Sequence, residues 1–204
     1  ETWPGFSAGH DLKEMLNNKN KVFFRNFFEQ CSTLMQSIIK LPQPVIAQIH
    51  GTAAAAGCQL VATCDLAIAS TTAKFATPGV NIGLFCSTPM VAVSRKLPRK
   101  KMMEMLLMGE LVDAETALEF GLINRVVTYE QLEETVSNYA NKIKEKSPLV
   151  LKIGKEAFYN QIDMTLADAY KYTAEVMTQN MLVQDANEGI NAFIEKRAPT
   201  WTGK

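Results

Sequence analysis

The sequence is poor in cysteine and histidine, and its charges cancel. It has four cysteines with no Cys-x-x-Cys pair, and two histidines in 204 residues. These cysteines and histidines are too few, and too widely spaced, for a disulfide scaffold or a structural zinc site. Lys and Arg total 21, as do Asp and Glu, so the formal net charge is zero. A neutral chain lacks the basic excess of most nucleic-acid-binding domains, and we therefore expect neither a metal ion nor a nucleic acid as partner.

A long uninterrupted hydrophobic run is also missing. The most apolar stretch, 45–69, is broken by polar residues such as Gln48 and Asp65. It therefore predicts a buried core instead of a membrane span, which needs about 20 apolar residues. No P-loop, GxGxxG, HExxH or GxSxG motif occurs, so the sequence shows no sign of a nucleotide cofactor, a catalytic zinc or a nucleophilic serine.

The first half of the chain carries an α/β pattern. A strand, a turn of small side chains, a helix and a second strand are predicted in turn at residues 45–49, 50–58, 59–64 and 65–69. This succession is typical of α/β folds. The second half predicts mainly helices, among them Arg99–Met108, which Gly109 would end, and a helix capped by Asp113.

Small side chains in two loops allow a ligand to approach the backbone closely. The first loop is residues 7–11, Ser-Ala-Gly-His-Asp, and the second is residues 53–58, which lead into a helix. A helix N-terminus presents unpaired N–H groups that can bind a phosphate, a carboxylate or a developing oxyanion. Close packing of a helix on a strand selects the same small residues, so both interpretations stay open. His50, before the second loop, is expected to be a hydrogen-bonded core histidine.

Several segments, taken in order, resemble the enoyl-CoA hydratase/isomerase (crotonase) superfamily. They are Phe6–Met15, Pro44–Gly51, Ala56–Leu60, Cys64–Ala69, Phe75–Leu84 and, at the C-terminal end, Glu188–Arg197. Residues 76–81 and 83–89 are also similar to one subgroup of that family. The resemblance extends over nearly the whole chain, and the ordered set of motifs is highly specific.

The resemblance implies an α/β fold in two parts. Residues 1–128 would form a crotonase-like spiral of ββα repeats, and 129–204 a C-terminal helical trimerisation region, giving a homotrimer or a dimer of trimers. Family members have further strands before the Ser-Ala-Gly loop, so we expect the N-terminal strands of the family fold to be missing from this chain. The protein would be cytoplasmic in a bacterium and mitochondrial in a eukaryote.

The resemblance also implies an acyl-CoA thioester as substrate, with no cofactor because CoA is part of the substrate. In the family, two backbone N–H groups form an oxyanion hole that binds the thioester oxygen and stabilises an enolate. The matching positions here are His10 and Ala56. Neighbouring positions that would bind the substrate are Ala8, Asp11, Leu12, Lys13 and Gly57.

Two positions depart from the family pattern. Family hydratases use two glutamates to position water and to exchange protons, and here those positions hold Gln59 and Gly79. An amide does not titrate near pH 7 and glycine has no side chain, so efficient hydration is not expected.

Three functions therefore remain open. The first is an acyl-CoA enzyme of the lyase or isomerase class that uses other groups, with Asn81, Cys86, Ser87 and the His10 side chain as candidates. The second is a catalytically silent acyl-CoA-binding protein, and the third is an oligomeric scaffold that has lost its ligand. The intact first loop and small-residue turn favour retained binding. We rank the enzyme slightly ahead of the silent binder and the scaffold last.

Overall fold

The computed structural model describes Gly5–Lys204, which divide into two units. Unit 1 contains the described residues up to Ile39 together with Val45–Ser137, and unit 2 contains Lys40–Pro44 and Asn138–Lys204. The boundary after residue 128 that the family resemblance implies stays a prediction.

Short parallel strands dominate unit 1. Their bounds are β1 Gly5–Ser7, β2 Ile46–Ile49, β3 Thr52–Ala54, β4 Leu66–Ser70, β5 Lys74–Ala76, β6 Val112–Asp113 and β7 Arg125–Val127. One sheet has the order β1-β3-β5-β6 and the other the order β2-β4-β7. Strands β1 to β5 alternate between the two sheets, and every pairing except that of β5 with β6 is parallel. This alternation, with helices between the turns of the spiral, confirms the expected α/β fold.

The core of unit 1 combines many small side chains with a few large ones. Phe75, Ile49 and Ile68 are completely buried. Phe75 and Ile49 belong to one cluster with alanines and cysteines, including those of the helix after β3. In the register of β2 on β4, Ala47 faces Ala67 and Ile49 faces Ala69. Strand β4 is buried at four of its five residues. A strand buried on both faces loses the alternation of polar and apolar residues, which explains the apolar run at 66–69.

Helices and one 3-10 turn connect the strands, and α7 follows the last of them. Their bounds are α1 Leu12–Asn17, α2 Lys21–Lys40, α3 Ala56–Thr63, a 3-10 helix Pro78–Ile82, α4 Pro89–Val93, α5 Arg99–Met108, α6 Ala114–Glu119 and α7 Tyr129–Lys144. Helix α5 has the predicted bounds and ends at Gly109 with φ 64°. Asp113 caps α6 as predicted, because its Oδ1 accepts from the Thr116 N–H at 2.8 Å.

The segment 50–58 differs from its prediction as a plain turn. Residues 52–54 form β3, which pairs with β1 on one side and β5 on the other. Helix α3 then begins at Ala56, three residues before the predicted start at Gln59. A run of alanines carries neither strand nor helix periodicity, so only pairing with distant strands shows where one element ends and the next begins.

Unit 2 is helical. Its helices are α8 Pro148–Gln161, α9 Leu166–Met181 and α10 Gln184–Glu195. Helix α8 packs against α9, and the side chains of Ser147 and Thr165 cap the two helices by accepting from backbone N–H groups. Within residues 5–204, every helix is too short or too polar to cross a bilayer.

Candidate active site

The loop after β1 meets the N-terminal end of α3. Strand β1 pairs with β3 so that Ser7 lies beside Ala53. A Cβ added to Gly9 would lie 3.0 Å from the Ala56 nitrogen, and one added to Gly57 would lie 2.2 Å from the Ser7 carbonyl oxygen. Only glycine fits such an approach at these two positions. The two small-residue loops of the sequence are therefore in contact, although they are more than 40 residues apart in the chain.

Backbone strain marks the residue before Ala56. Ala55 has φ 49° and ψ −117°, a conformation that disfavours any residue with a Cβ, and it offers no side-chain cap to α3. Its own N–H donates to the Ala76 carbonyl at 3.0 Å, which holds the turn against β5. The first N–H groups of a helix, here starting with that of Ala56, have no acceptor within the helix. Strain next to unpaired donors is a common property of functional sites.

His10 follows Gly9 in the first loop, and its side chain packs on α2. The imidazole ring packs against Phe27, with the ring centroids 4.6 Å apart, and against Phe28 at 5.8 Å. Its Nε2 is buried and has no hydrogen-bond partner among the described residues. Burial lowers the pKa of His10, an effect that Glu14 opposes, so the ring is neutral at pH 7.

The other predicted substrate-binding positions surround the start of α1. Asp11 is its N-cap, since the carboxylate accepts from the Lys13 N–H at 2.8 Å and the Glu14 N–H at 3.4 Å. Ala8, Asp11, Leu12 and Lys13 are exposed. They form an accessible edge beside His10, and their contact with substrate stays a prediction.

Gln59 lies one helical turn after Ala56 and is only 4% exposed. Its Oε1 is 3.9 Å from the Sγ of Cys31 on α2. Burial raises the pKa of the Cys31 thiol, so that group is protonated near neutral pH and can donate weakly to the amide oxygen. Gln59, which the resemblance predicts to replace the first family glutamate, is thus a buried amide that does not titrate near pH 7.

Gly79, which the resemblance predicts to replace the second family glutamate, has no free space beside it. A Cβ there would lie 2.9 Å from the Leu84 carbonyl oxygen and 3.0 Å from the Cys86 Sγ. The Gly79 N–H donates to that sulfur at 3.3 Å, and the Leu84 N–H donates to the Gly79 carbonyl at 2.9 Å. The turn 84–86 therefore closes over Gly79 and occupies the volume into which a side chain would extend.

The alternative catalytic groups near this turn are engaged or protonated. The Asn81 amide donates to the Gly109 carbonyl at 3.0 Å, and the Ser87 hydroxyl donates to the Phe85 carbonyl at 3.3 Å. Burial raises the pKa of the Cys86 thiol, which leaves little thiolate at neutral pH. None of these three groups has the features of an activated nucleophile or base.

The sequence did not single out three residues of α2 as part of this region. Phe27, Phe28 and Cys31 contact His10 and Gln59. Their spacing of three and four residues, which places them on one helix face, was the available signal.

The expectation of a buried, hydrogen-bonded His50 was wrong. Its side chain is exposed, with the ring centroid 6.4 Å from that of Phe6. Ile49 points into the core from the end of β2, so the next residue points out, as the alternation of a strand requires.

Comparisons with known proteins agree with this architecture. The family model described as enoyl-CoA hydratase/isomerase matches residues 4–204. A rat protein named enoyl-CoA hydratase domain-containing protein 3, mitochondrial, is 48% identical over 199 residues, which cover 98% of this chain and 66% of the rat protein. The chain thus spans slightly less than two thirds of the length of that curated relative.

Two crystal structures are similar to the chain over nearly its full length. An enoyl-CoA hydratase of Mycobacterium smegmatis has a TM-score of 0.95 at 47% identity, covering 97% of this chain and 77% of that one. Human enoyl coenzyme A hydratase domain-containing protein 3 also has a TM-score of 0.95 at 47% identity, covering 98% and 79%. With the parallel two-sheet core and the full-length family match, these similarities lead to one conclusion: the chain belongs to the enoyl-CoA hydratase/isomerase family.

Proposed function

We propose that this chain binds an acyl-CoA thioester and holds the thioester oxygen between the backbone N–H groups of His10 and Ala56. The observation that carries the proposal is the contact of the β1 loop with the start of α3, where Gly9 lies against the Ala56 nitrogen. Ala56 keeps the donor, because the N–H belongs to the backbone and not to the side chain. CoA is part of the substrate, so the site needs no separate cofactor.

Two such donors favour chemistry that passes through an enolate. When a bond at the carbon next to the thioester breaks and leaves its electrons behind, negative charge accumulates on the thioester oxygen. Fixed N–H groups stabilise that charge more strongly than they stabilise the neutral carbonyl, which lowers the barrier to reaction. The eight-residue helix α3 adds the partial positive charge of its N-terminus.

Efficient hydration does not fit the site. Gln59 cannot exchange a proton near pH 7, and the closed turn over Gly79 leaves no room for a second acid or base. Each general acid or base contributes about 10²–10⁴-fold to a rate. We therefore expect thioester binding with slow or no hydration of crotonyl-CoA. Any reaction that the chain catalyses would not need an acid or a base at these two positions.

Assembly and location belong to the same proposal. Helices α9 and α10 and the short link between them expose large apolar side chains, among them Leu166 at 76%, Leu182 at 72% and Phe193 at 84%. Exposed apolar faces of this kind support a homotrimer or a dimer of trimers. The rat relative is named as mitochondrial, which supports a mitochondrial location if the chain is eukaryotic.

The test is calorimetric titration of the chain with acetyl-CoA and with S-ethyl-CoA, a thioether that lacks the carbonyl oxygen. We expect acetyl-CoA to bind about tenfold or more tightly, because only it can accept from the two N–H groups. Crotonyl-CoA titrated in the same way, with mass spectrometry of the products, separates turnover from silent binding. Equal affinity for thioester and thioether would contradict the oxyanion hole.

A pair of variants tests the donor at Ala56 directly. Ala56→Pro removes its N–H, and proline is well tolerated at the first position of a helix, whereas Ala56→Gly keeps the N–H. The preference for acetyl-CoA over S-ethyl-CoA should fall in Ala56→Pro and persist in Ala56→Gly, with thermal melting as the check on folding.

A further inference from the structure

We propose that a basic face of unit 1 docks on the surface of a bilayer that contains anionic phospholipid. We name it the Arg99 face, and it consists of five exposed residues on α5 and just before it: Arg95, Arg99, Lys100, Met103 and Leu107. It contains no residue of the proposed thioester site, so the inference goes beyond the proposed function and does not depend on it.

Positive charge is concentrated in the segment that leads into α5. Five of the seven residues 95–101 are lysine or arginine and none is acidic, although the whole chain has a formal net charge of zero. Basic clusters of this size on an amphipathic helix attract anionic lipid headgroups, and each basic side chain near the surface strengthens binding about fivefold. The local charge of the segment therefore indicates an anionic partner, which the neutral total conceals.

Three of these cations are available to such a partner. Arg95, Arg99 and Lys100 are exposed, and none of them forms an ion pair with a carboxylate in the described part of the chain. Lys101, by contrast, pairs with Glu104 at 3.4 Å and does not belong to the Arg99 face. The face thus has three positive charges that no acidic side chain neutralises.

The charges of the face oppose the local stability of α5. The helix begins at Arg99 after Pro98, which provides no side-chain cap, and its first turn has no acidic residue. Because the N-terminal end of a helix carries a partial positive charge, cations in the first turn destabilise it. Natural sequences break a local rule of this kind mainly at functional sites. Arg99 and Lys100 are therefore explained better by a partner than by folding.

Two apolar side chains continue the face along α5. Arg99, Met103 and Leu107 follow one another at intervals of four residues and so share one side of the helix, in a row about 12 Å long. Met103 is 46% exposed and Leu107 59%. Helices that lie in a bilayer interface combine such residues, with apolar side chains among the acyl chains and cations at the headgroups.

The apolar side chains also decide between two anionic partners. A nucleic acid would attract the three cations, but it would leave Met103 and Leu107 exposed to water. A bilayer accepts both kinds of side chain, because burial of apolar area adds to the electrostatic attraction. The Arg99 face therefore fits a bilayer better than a nucleic acid.

The experiment measures binding of the intact chain to unilamellar vesicles by sedimentation. Vesicles of phosphatidylcholine mixed with phosphatidylglycerol are compared with vesicles of phosphatidylcholine alone. We expect binding to the mixed vesicles to be more than tenfold tighter, at about fivefold for each cation, and to weaken as salt is added. Failure to bind the mixed vesicles at low salt would overturn the proposal.

A matched pair of double variants assigns the binding to the face. Arg99→Gln with Lys100→Gln should weaken binding to the mixed vesicles about 25-fold, while the melting temperature stays the same or rises because less charge opposes the helix dipole. Lys142→Gln with Lys144→Gln removes two exposed charges from the end of α7 and should change binding by less than about threefold. Equal losses in the two double variants would mean that net charge, and not this face, binds the vesicles.

The variant Leu107→Ser tests the apolar part of the face. It should weaken binding to the mixed vesicles about fivefold or more, because a leucine side chain leaves the interface. Unchanged vesicle binding in Leu107→Ser, together with tighter binding of duplex DNA than of vesicles, would make a nucleic acid the partner and overturn the proposal.

A soluble competitor separates a bilayer surface from a site for one phosphate. Glycerol 3-phosphate, added at the same phosphate concentration as the lipid, should leave the chain on the vesicles, since it offers neither a charged surface nor acyl chains. Displacement by this competitor would overturn docking on a bilayer. Each variant should bind acetyl-CoA like the unsubstituted chain, so these outcomes do not affect the proposed function.

Discussion

The side chains that unit 1 buries are mainly small and apolar, whereas the three residues that unit 2 buries are Ser147, Asp185 and Ala192. Helices α8 and α9 have no buried residue, and α9 and α10 expose many of their large apolar side chains. Unit 1 thus has a hydrophobic core of its own, while unit 2 depends on a polar network and on surfaces that the chain itself leaves uncovered. Unit 1 therefore buries its apolar area within the chain, whereas much of the apolar area of unit 2 stays exposed.

The polar network of unit 2 is centred on Asp185. Its carboxylate accepts from the Ser147 hydroxyl at 2.5 Å and from the N–H groups of Thr202 and Gly203. The hydrogen bond from Ser147, and then those from Thr202 and Gly203, lower the pKa of Asp185 to about 2, against the effect of burial. This network ties the C-terminal residues to the start of α8.

The largest effect on stability is expected in unit 1, at Gly57. A Cβ there would lie 2.2 Å from a backbone oxygen, so Gly57→Ala must separate β1 from α3. We expect the free energy of unfolding to fall by about 3 kcal/mol, the upper end of the usual cost of overpacking, as measured by urea denaturation.

The matched control is Gly154→Ala in α8 of unit 2. Nothing lies within 4 Å of the added Cβ, and alanine in a helix interior stabilises by about 0.5–1 kcal/mol relative to glycine. Similar losses in both variants would contradict the close approach at Gly57.

Within unit 2, the substitution Ser147→Ala should lower the free energy of unfolding the most. Ser147 caps α8 and donates to a buried carboxylate, and losing both contacts should cost about 2 kcal/mol. Thr165→Ala, which removes the exposed cap of α9, should cost only about 1 kcal/mol. If the two losses are equal in denaturant titrations, the buried network does not stabilise unit 2 as we describe.

Acid should weaken the same network. The pKa of Asp185 is depressed to about 2 from its ordinary value of 3.8. Its contribution is therefore fully present above that ordinary value and is lost as the pH falls through about 2. Asp185→Asn should be less stable at neutral pH and should lose less on acidification than the unsubstituted chain.

The contribution of Glu188 to the pH dependence of stability must be separated from that of Asp185. The pKa of Glu188 is also depressed to about 2, mainly by hydrogen bonds from Arg197. Unfolding curves recorded from neutral to acid pH for Asp185→Asn, Glu188→Gln and the double variant measure the two contributions. A pH dependence unchanged in Asp185→Asn would remove Asp185 from the network.

The smallest effect on folding, but a large one on assembly, is expected at Phe193. Its side chain is 84% exposed, so Phe193→Ser should change the free energy of unfolding of a single chain by less than about 0.5 kcal/mol. If α10 belongs to a subunit interface, the same change should lower the oligomeric state in sedimentation velocity.

Ile82→Ser is the control for this variant, at a position of unit 1 that is 57% exposed. We expect it to leave assembly unchanged. Equal sedimentation of Phe193→Ser and the unsubstituted chain would mean that the apolar face of α10 is not an interface.

Local signals in the sequence predicted well wherever neighbours in the chain decide the conformation. Helix α5 ends at Gly109 because glycine adopts the left-handed conformation without strain, and Asp113 caps α6 because its carboxylate reaches a nearby N–H. The prediction was poorest at residues 52–54, where β3 exists only by pairing with β1 and β5.

The sequence by itself determined the family and the α/β class, and its resemblance to that family predicts that Gln59 and Gly79 replace the two glutamates of family hydratases. Only the tertiary structure decided what surrounds them. The turn 84–86 fills the space beside Gly79, and α2 places Cys31 beside the Gln59 amide. The residue type at each position can be read from the sequence alone. The free volume around a side chain and its hydrogen-bond partners depend on distant segments that packing brings together, and no local sequence pattern encodes that packing.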